Sequence, residues 1–453
     1  MTTVTKQKKK LDMLTDSPGK ALLFFAFPII LGNLFQQLYN MVDGIVVSRF
    51  VGENALAAVG TTYALTNVFI AVAIGGGIGS SVVVSQYFGA KQYDNMKKAI
   101  TTTLINFAVL SVVMAAFGLI FCDWILTALN VPANVFADAR TYLSIYFWGM
   151  PFLFLYNALS SIFNALGDSK TPLKLLIFSS VFNVFLDLLL VAVFHMAVAG
   201  VAIATLIAQG ISAVVSFIIL VRRLRSYDTS AGLPLYEKAL SLKIIKIAIP
   251  SIIQQAIVNL GMLLVQSVVN VFGSEVMAGY AAGSRFEGIC VIPMVAVGNA
   301  VSTFTAQNMG AGNVDRVKKG YHASYKLVIA IAVIICVILE FFGTCLIRAF
   351  LDAGSSTLAF NTGLHYLQFL GFFFVFIGLK CSVDGVLRGA GDTIVFTCAN
   401  LVNLGIRVWF AYTFAPILGI DAVWYAVPIG WLSNYLISFV WYLTGKWSKY
   451  RAI

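Results

Sequence analysis

Asn33, Gln36, Asn40 and Asp43 recur at steps of three and four inside an otherwise apolar stretch, 27–50, that is long enough to cross a bilayer. That spacing sets all four on one helical face. A carboxylate in such a span costs at least about 2.5–3.5 kcal/mol to insert, so it normally faces a bundle interior or a wet cavity. Asn183 and Asp187 form a second polar stripe one turn apart, with Ser180 one turn earlier. Two carboxylates withdrawn from water can share a proton or hold a cation, which is the chemistry of ion coupling. The competing reading of Asp43 is a structural side chain hydrogen-bonded to neighbouring helices. Spacing along two separate helices leaves open whether Asp43 and Asp187 meet.

Other chemistries find little footing. The run Gly75-Gly-Gly-Ile-Gly79 has no strand before it and no Lys-Ser/Thr after it, so it reads as small residues for close helix packing. His195, His322 and His365 are isolated, and the six cysteines have no CxxC spacing, so no metal site or cofactor is expected. The second half carries Asn400, Asn403 and Arg407 at helical spacing, a base where the first half has an acid. Arg285 with Glu287, and Lys380 with Asp384, are further charges inside apolar stretches and are expected to pair locally or across helices.

These stripes need membrane helices to position them. Of 453 residues, 60% are hydrophobic and 11% charged, where a soluble chain carries about 25% charged residues. Twelve spans are expected, at 20–50, 55–88, 97–121, 137–165, 172–194, 198–221, 243–272, 277–308, 322–347, 358–387, 394–417 and 422–446. The net charge of +11 falls mainly on alternate loops and the tails, including Lys6, Lys8, Lys9, Lys10, Lys97, Lys98, Arg222, Arg223, Lys318, Lys319 and Arg451. The opposite loops hold only Arg49, Arg140 and Arg348. That asymmetry puts both termini in the cytoplasm of a plasma-membrane protein and explains the basic charge without a nucleic-acid partner. Trp124, Trp424, Trp441 and Trp447 are expected at the membrane interfaces.

The chain also repeats itself. Gln86, Gly89, Ala90, Asp94, Lys97 and Lys98 recur as Gln307, Gly310, Ala311, Asp315, Lys318 and Lys319. Pro28 answers Pro250, and Leu166-Gly-Asp168 answers Ala390-Gly-Asp392. An all-α polytopic protein follows, with two like-oriented six-helix bundles around a central cavity. The expected division is an N-terminal tail 1–19, bundles 20–221 and 243–447, a cytoplasmic linker 222–242 and a C-terminal tail 448–453. A duplication kept only for packing is the alternative. Pro28 removes a backbone hydrogen bond and Gly32 lies one turn on, so a hinge is expected there.

Gln36-Gln-Leu-Tyr-Asn-Met-Val-Asp43, Ala165-Leu-Gly-Asp-Ser-Lys-Thr-Pro172, Asn183-Val-Phe-Leu-Asp187 and Ala199-Gly-Val-Ala-Ile-Ala-Thr205 together resemble the multidrug and toxic compound extrusion (MATE) transporters, in their DinF-like branch. The resemblance covers nearly the whole chain. It implies an antiporter, not an enzyme, that exports organic cations or amphipathic drugs by alternating access. The coupling ion would be a proton, with sodium the other possibility, and the protein would act as a monomer among membrane lipids. The implied coupling site is Asp43, Asn183 and Asp187, with Asn157 and Thr205 nearby, and Gln36, Tyr39 and Asn40 would face the substrate cavity. A commonly basic position before the first Gly-Asp turn is Asn164 here, whereas Arg388 keeps the base in the second half. A flippase of a lipid-linked precursor on the same scaffold is the alternative, and a membrane-embedded enzyme a further one.

Overall fold

The computed structural model describes residues 12–351 and 356–450. Lys6, Lys8, Lys9, Lys10 and Arg451, with the outer parts of both expected tails, lie outside those residues. Among the described residues the first half forms α1 (Pro18–Phe50), α2 (Glu53–Gly89), α3 (Tyr93–Ala128), α4 (Ala133–Ala165), α5 (Lys170–Asp187) and α6 (Ala197–Leu224). The second half forms α7 (Lys238–Asn270), α8 (Ser274–Gly310), α9 (Val314–Phe350), α10 (Thr357–Gly371), α11 (Phe374–Ala390), α12 (Thr393–Leu418) and α13 (Asp421–Leu443). Helices are the only solution in hydrocarbon short of a closed barrel, because they satisfy every backbone group internally.

Eleven helices among the described residues are each long and apolar enough to span. The twelfth span is the pair α10 and α11, which meet at 52°. The expected span 358–387 is therefore bent, without a proline. Phe373 N–H bonds back three residues to Leu370 (2.8 Å), which tightens the turn beside Gly371. The fifth span also departs from regular helix, since a π-helical turn, Leu188–Val193, begins directly after Asp187.

The two lobes are interleaved through their first helices. In the first half of α1, Ala21, Leu22, Phe25 and Ala26 are buried in the core of the second lobe, with Val301, Phe304 and Val328. Past Pro28 the same helix returns to its own lobe, where Gly32 lies against Leu173 and Leu176 and Val47 packs with Val198 and Val201. α7 does the reverse. Its Leu240, Ile244 and Ile247 pack in the first lobe with Val82, Ile100 and Phe163, and its Val265, Val268 and Val269 in the second.

At one end of the bundle the repeated motifs lock across a pseudo-two-fold. A Cβ on Gly89 would sit 1.9 Å from the Gln307 carbonyl oxygen, and a Cβ on Gly310 would sit 1.9 Å from that of Gln86. The two glutamine side chains complete the seam. Gln86 Nε2 donates to the Gly389 carbonyl (3.1 Å), and Gln307 Nε2 to the Ala165 carbonyl (2.8 Å). Each amide thus caps the helix end before the opposite lobe's Gly-Asp turn.

Two tryptophans correct the interfacial reading. Trp424 and Trp447 are 3% and 1% exposed. Trp424 lies against Tyr366, and Trp447 stacks on Tyr442 while its indole N–H donates to the Tyr442 carbonyl (2.9 Å). Packing at the helix ends claims them, whereas Trp124 is exposed, as a belt residue should be.

Candidate functional site

A cavity of about 660 Å³ lies between the lobes, with walls from α1, α2, α4, α5, α6, α8 and α11. That volume suits a drug-sized molecule. Gln36, Tyr39, Asn40, Asn157, Asn183 and Thr205 line it, together with Pro28 and Gly32. Asp43 and Asp187 are not on its wall. They stand behind Tyr39, Asn183 and Thr205, which both face the cavity and surround the acids.

The structure brings Asp43 and Asp187 together. Their carboxyl groups lie within hydrogen-bonding reach of each other, Asp43 from α1 and Asp187 from the end of α5. Asp187 is fully buried and Asp43 half-buried. One oxygen of each, Oδ1, is buried without a hydrogen-bond donor. A carboxyl pair so placed can share one proton or hold a cation between its members. No cluster of three or more His, Cys, Asp or Glu side chains able to hold a metal ion occurs among the described residues.

Asn183 organises the surroundings. With its amide nitrogen turned toward the acids it donates to Asp187 Oδ2 (2.8 Å) and to the Tyr39 hydroxyl (2.9 Å), while its oxygen accepts from Thr205 N–H (3.0 Å). That orientation satisfies both ends of the amide, which the opposite one does not. Tyr39 also reaches Thr205, and Tyr142 of α4 is an electrostatic neighbour of both acids. Asn157 stands apart from this cluster, with its amide donating to Leu153 O of its own helix (2.9 Å). Gln36 and Asn40 line the cavity. Tyr142 escaped the sequence reading, because an aromatic in the apolar run 141–147 looks like any packing residue.

Among the described residues the second lobe has no counterpart to the acid pair. Val265, aligned with Asp43, is a core residue. Glu287 accepts a hydrogen bond from Tyr366 and has Arg407 as its charged neighbour. It does not pair with Arg285, which instead lies over the Phe350 ring (5.7 Å) because the spacing of two sends them to different sides of α8. Lys380 and Asp384, one turn apart, do pair (3.5 Å), and Ser438 donates to Asp384 (2.9 Å). Removing one partner of a buried pair typically costs about 3–5 kcal/mol. A Lys380→Met protein should therefore lose thermal stability in detergent, and adding Asp384→Leu should restore most of it. If the double variant melts no higher than the single one, the pair is not what Lys380 contributes.

Comparison with known proteins follows the same lines. The MatE family model matches residues 28–189 and 250–413. The chain is 30% identical over 444 residues to the probable multidrug resistance protein YpnP of Bacillus subtilis, covering 98% of this chain and 99% of that one. Among solved structures, a MATE protein in complex with MaL6 superposes with a TM-score of 0.90 at 23% identity, covering 96% of this chain and 98% of that one. An outward-facing multidrug resistance MATE family transporter superposes with a TM-score of 0.87 at 22% identity, over 97% and 98% of the two chains.

Proposed function

Since the chain belongs to the MATE family of multidrug efflux transporters, we propose that it exports organic cations and amphipathic drugs in exchange for protons, with Asp43 and Asp187 as the coupling pair. The observation that carries this reading is the convergence of the two carboxyl groups behind a shared cavity wall. The protein works as a monomer in the plasma membrane with both termini in the cytoplasm. The Gly89–Gly310 seam is then a cytoplasmic closure, and this conformation is the one turned outward.

Coupling runs through α1. Its first half is held by the second lobe and its second half, which carries Asp43, by the first. A proton taken up between Asp43 and Asp187 draws that second half onto α5 and α6. A substrate entering past Tyr39 and Asn183 competes with that arrangement. Pro28 and Gly32 stand at the change of partners, where a bend sacrifices little hydrogen bonding. The proton drives the cycle only because the two conformations bind it with different affinity. One charge crossing about 100 mV is worth about 2.3 kcal/mol, or roughly fiftyfold in concentration.

The test is proton release from the purified protein on adding substrate in weakly buffered solution, with and without sodium. The expected result is release of about one proton per substrate bound, unchanged by sodium, as required for one shared proton. Sodium-dependent binding without proton release would assign the pair to sodium instead.

A further inference from the structure

Arg388 carries the one formal charge among the described residues that line the cavity. It enters from α11 of the second lobe, whereas Asp43 and Asp187 stand behind the first lobe's wall. Its contacts are all neutral oxygens. Nε donates to Ser302 Oγ (3.2 Å), and Nη2 donates to Asn299 Oδ1 (2.8 Å) and the Gly298 carbonyl (3.5 Å). Asp384, one turn earlier on the same helix, is its acidic neighbour, yet Asp384 is already matched by Lys380 at 3.5 Å. Lys380, Asp384 and Arg388 thus leave one positive charge over, and it is placed on the wall of a confined chamber. Ser302 and Asn299 fix two edges of the guanidinium and leave Nη1 without a partner among the described residues. A guanidinium so held is preorganised, with Nη1 free to donate a charge-assisted hydrogen bond to an oxyanion.

We propose that Arg388 is the docking point for the carboxylate of a zwitterionic amphiphile, so that the cavity selects compounds bearing an acid as well as a base. This rests on the transport reading above and names part of its substrate class. The remaining wall suits such a ligand, because amides and hydroxyls such as Gln36, Asn67, Asn157 and Ser161 can bond either kind of polar group.

A matched pair of fluorescent dyes tests it. Rhodamine 110 bears a free carboxylate, and rhodamine 123 is its methyl ester. Fluorescence polarisation with the full-length protein in nanodiscs should show wild type binding both. Arg388→Gln should weaken rhodamine 110 by about tenfold, the loss expected for one charge-assisted hydrogen-bonded contact, and rhodamine 123 by less than about twofold. Arg388→Lys, which keeps the charge, should retain most of the affinity for rhodamine 110 and controls for damage to the fold. Equal weakening of both dyes, or an unchanged affinity for rhodamine 110, overturns the proposal. A wild type that binds the ester and refuses the acid also overturns it while leaving multidrug transport intact. Binding of neither dye by folded protein counts against the multidrug reading itself, and this proposal falls with it.

Discussion

An Asp43→Asn protein should reach the membrane at normal levels and show no gradient-driven dye efflux above vesicles lacking the transporter. Asparagine matches aspartate in size and can still hydrogen-bond to Asp187, so α1 keeps its packing against Val198 and Val201 through Val47. What is lost, on the coupling proposed above, is a site that takes up and gives back a proton. Without it the proton gradient has no differential affinity to act on, and the transporter stays at equilibrium. Asp187→Asn should fail in the same way. The double variant should be no worse than either single one, because the two groups act as a unit. Substrate binding should survive in all three, since neither acid lines the cavity. Unchanged efflux by Asp43→Asn would remove that residue from the coupling role.

The second large effect lies at the seam. Gly89→Ala places a methyl carbon 1.9 Å from the Gln307 carbonyl oxygen, an approach that no rotamer relieves because both sides are backbone. The lobes must part by more than an ångström there, which strains the Gln86–Gly389 and Gln307–Ala165 hydrogen bonds. Overpacking of this kind costs about 1–3 kcal/mol. That is enough to turn a balanced two-state equilibrium by about five- to 150-fold against the conformation described above. Efflux should fall by about three- to 75-fold on that arithmetic, and Gly310→Ala should mirror it. The direct check is cross-linking of cysteine pairs introduced across the seam, which should drop in both variants. Wild-type cross-linking and efflux in Gly89→Ala would mean that the contact is not required in the cycle.

Much of this organisation could be read from the chain because it is local. Span positions follow from runs of apolar residues, the duplication from matching strings, and the polar stripes from a period of three and four. Even the acid pair was approachable, since carboxylates in two spans each had to find something better than lipid. What stayed hidden depends on distant partners. Nothing near Pro28 announces that the residues before it pack on the other lobe. The bend after Gly371 has no proline to mark it. Arg388 falls just past the expected span 358–387 and yet lines the cavity, while Trp424 and Trp447, expected at the interfaces, are buried. Tyr142 joins the acids only because α4 is folded against them.

Neither half of this chain is a self-sufficient molecule. Each begins with a helix whose opening turns are seated in the other half, so the halves hold one another like clasped hooks. Made alone, either would present an unclaimed apolar half-helix and leave a matching groove unfilled. In the proposed cycle these hooks would twist and slide without unclasping, with Pro28 and Pro250 inside the two helices that change lobes.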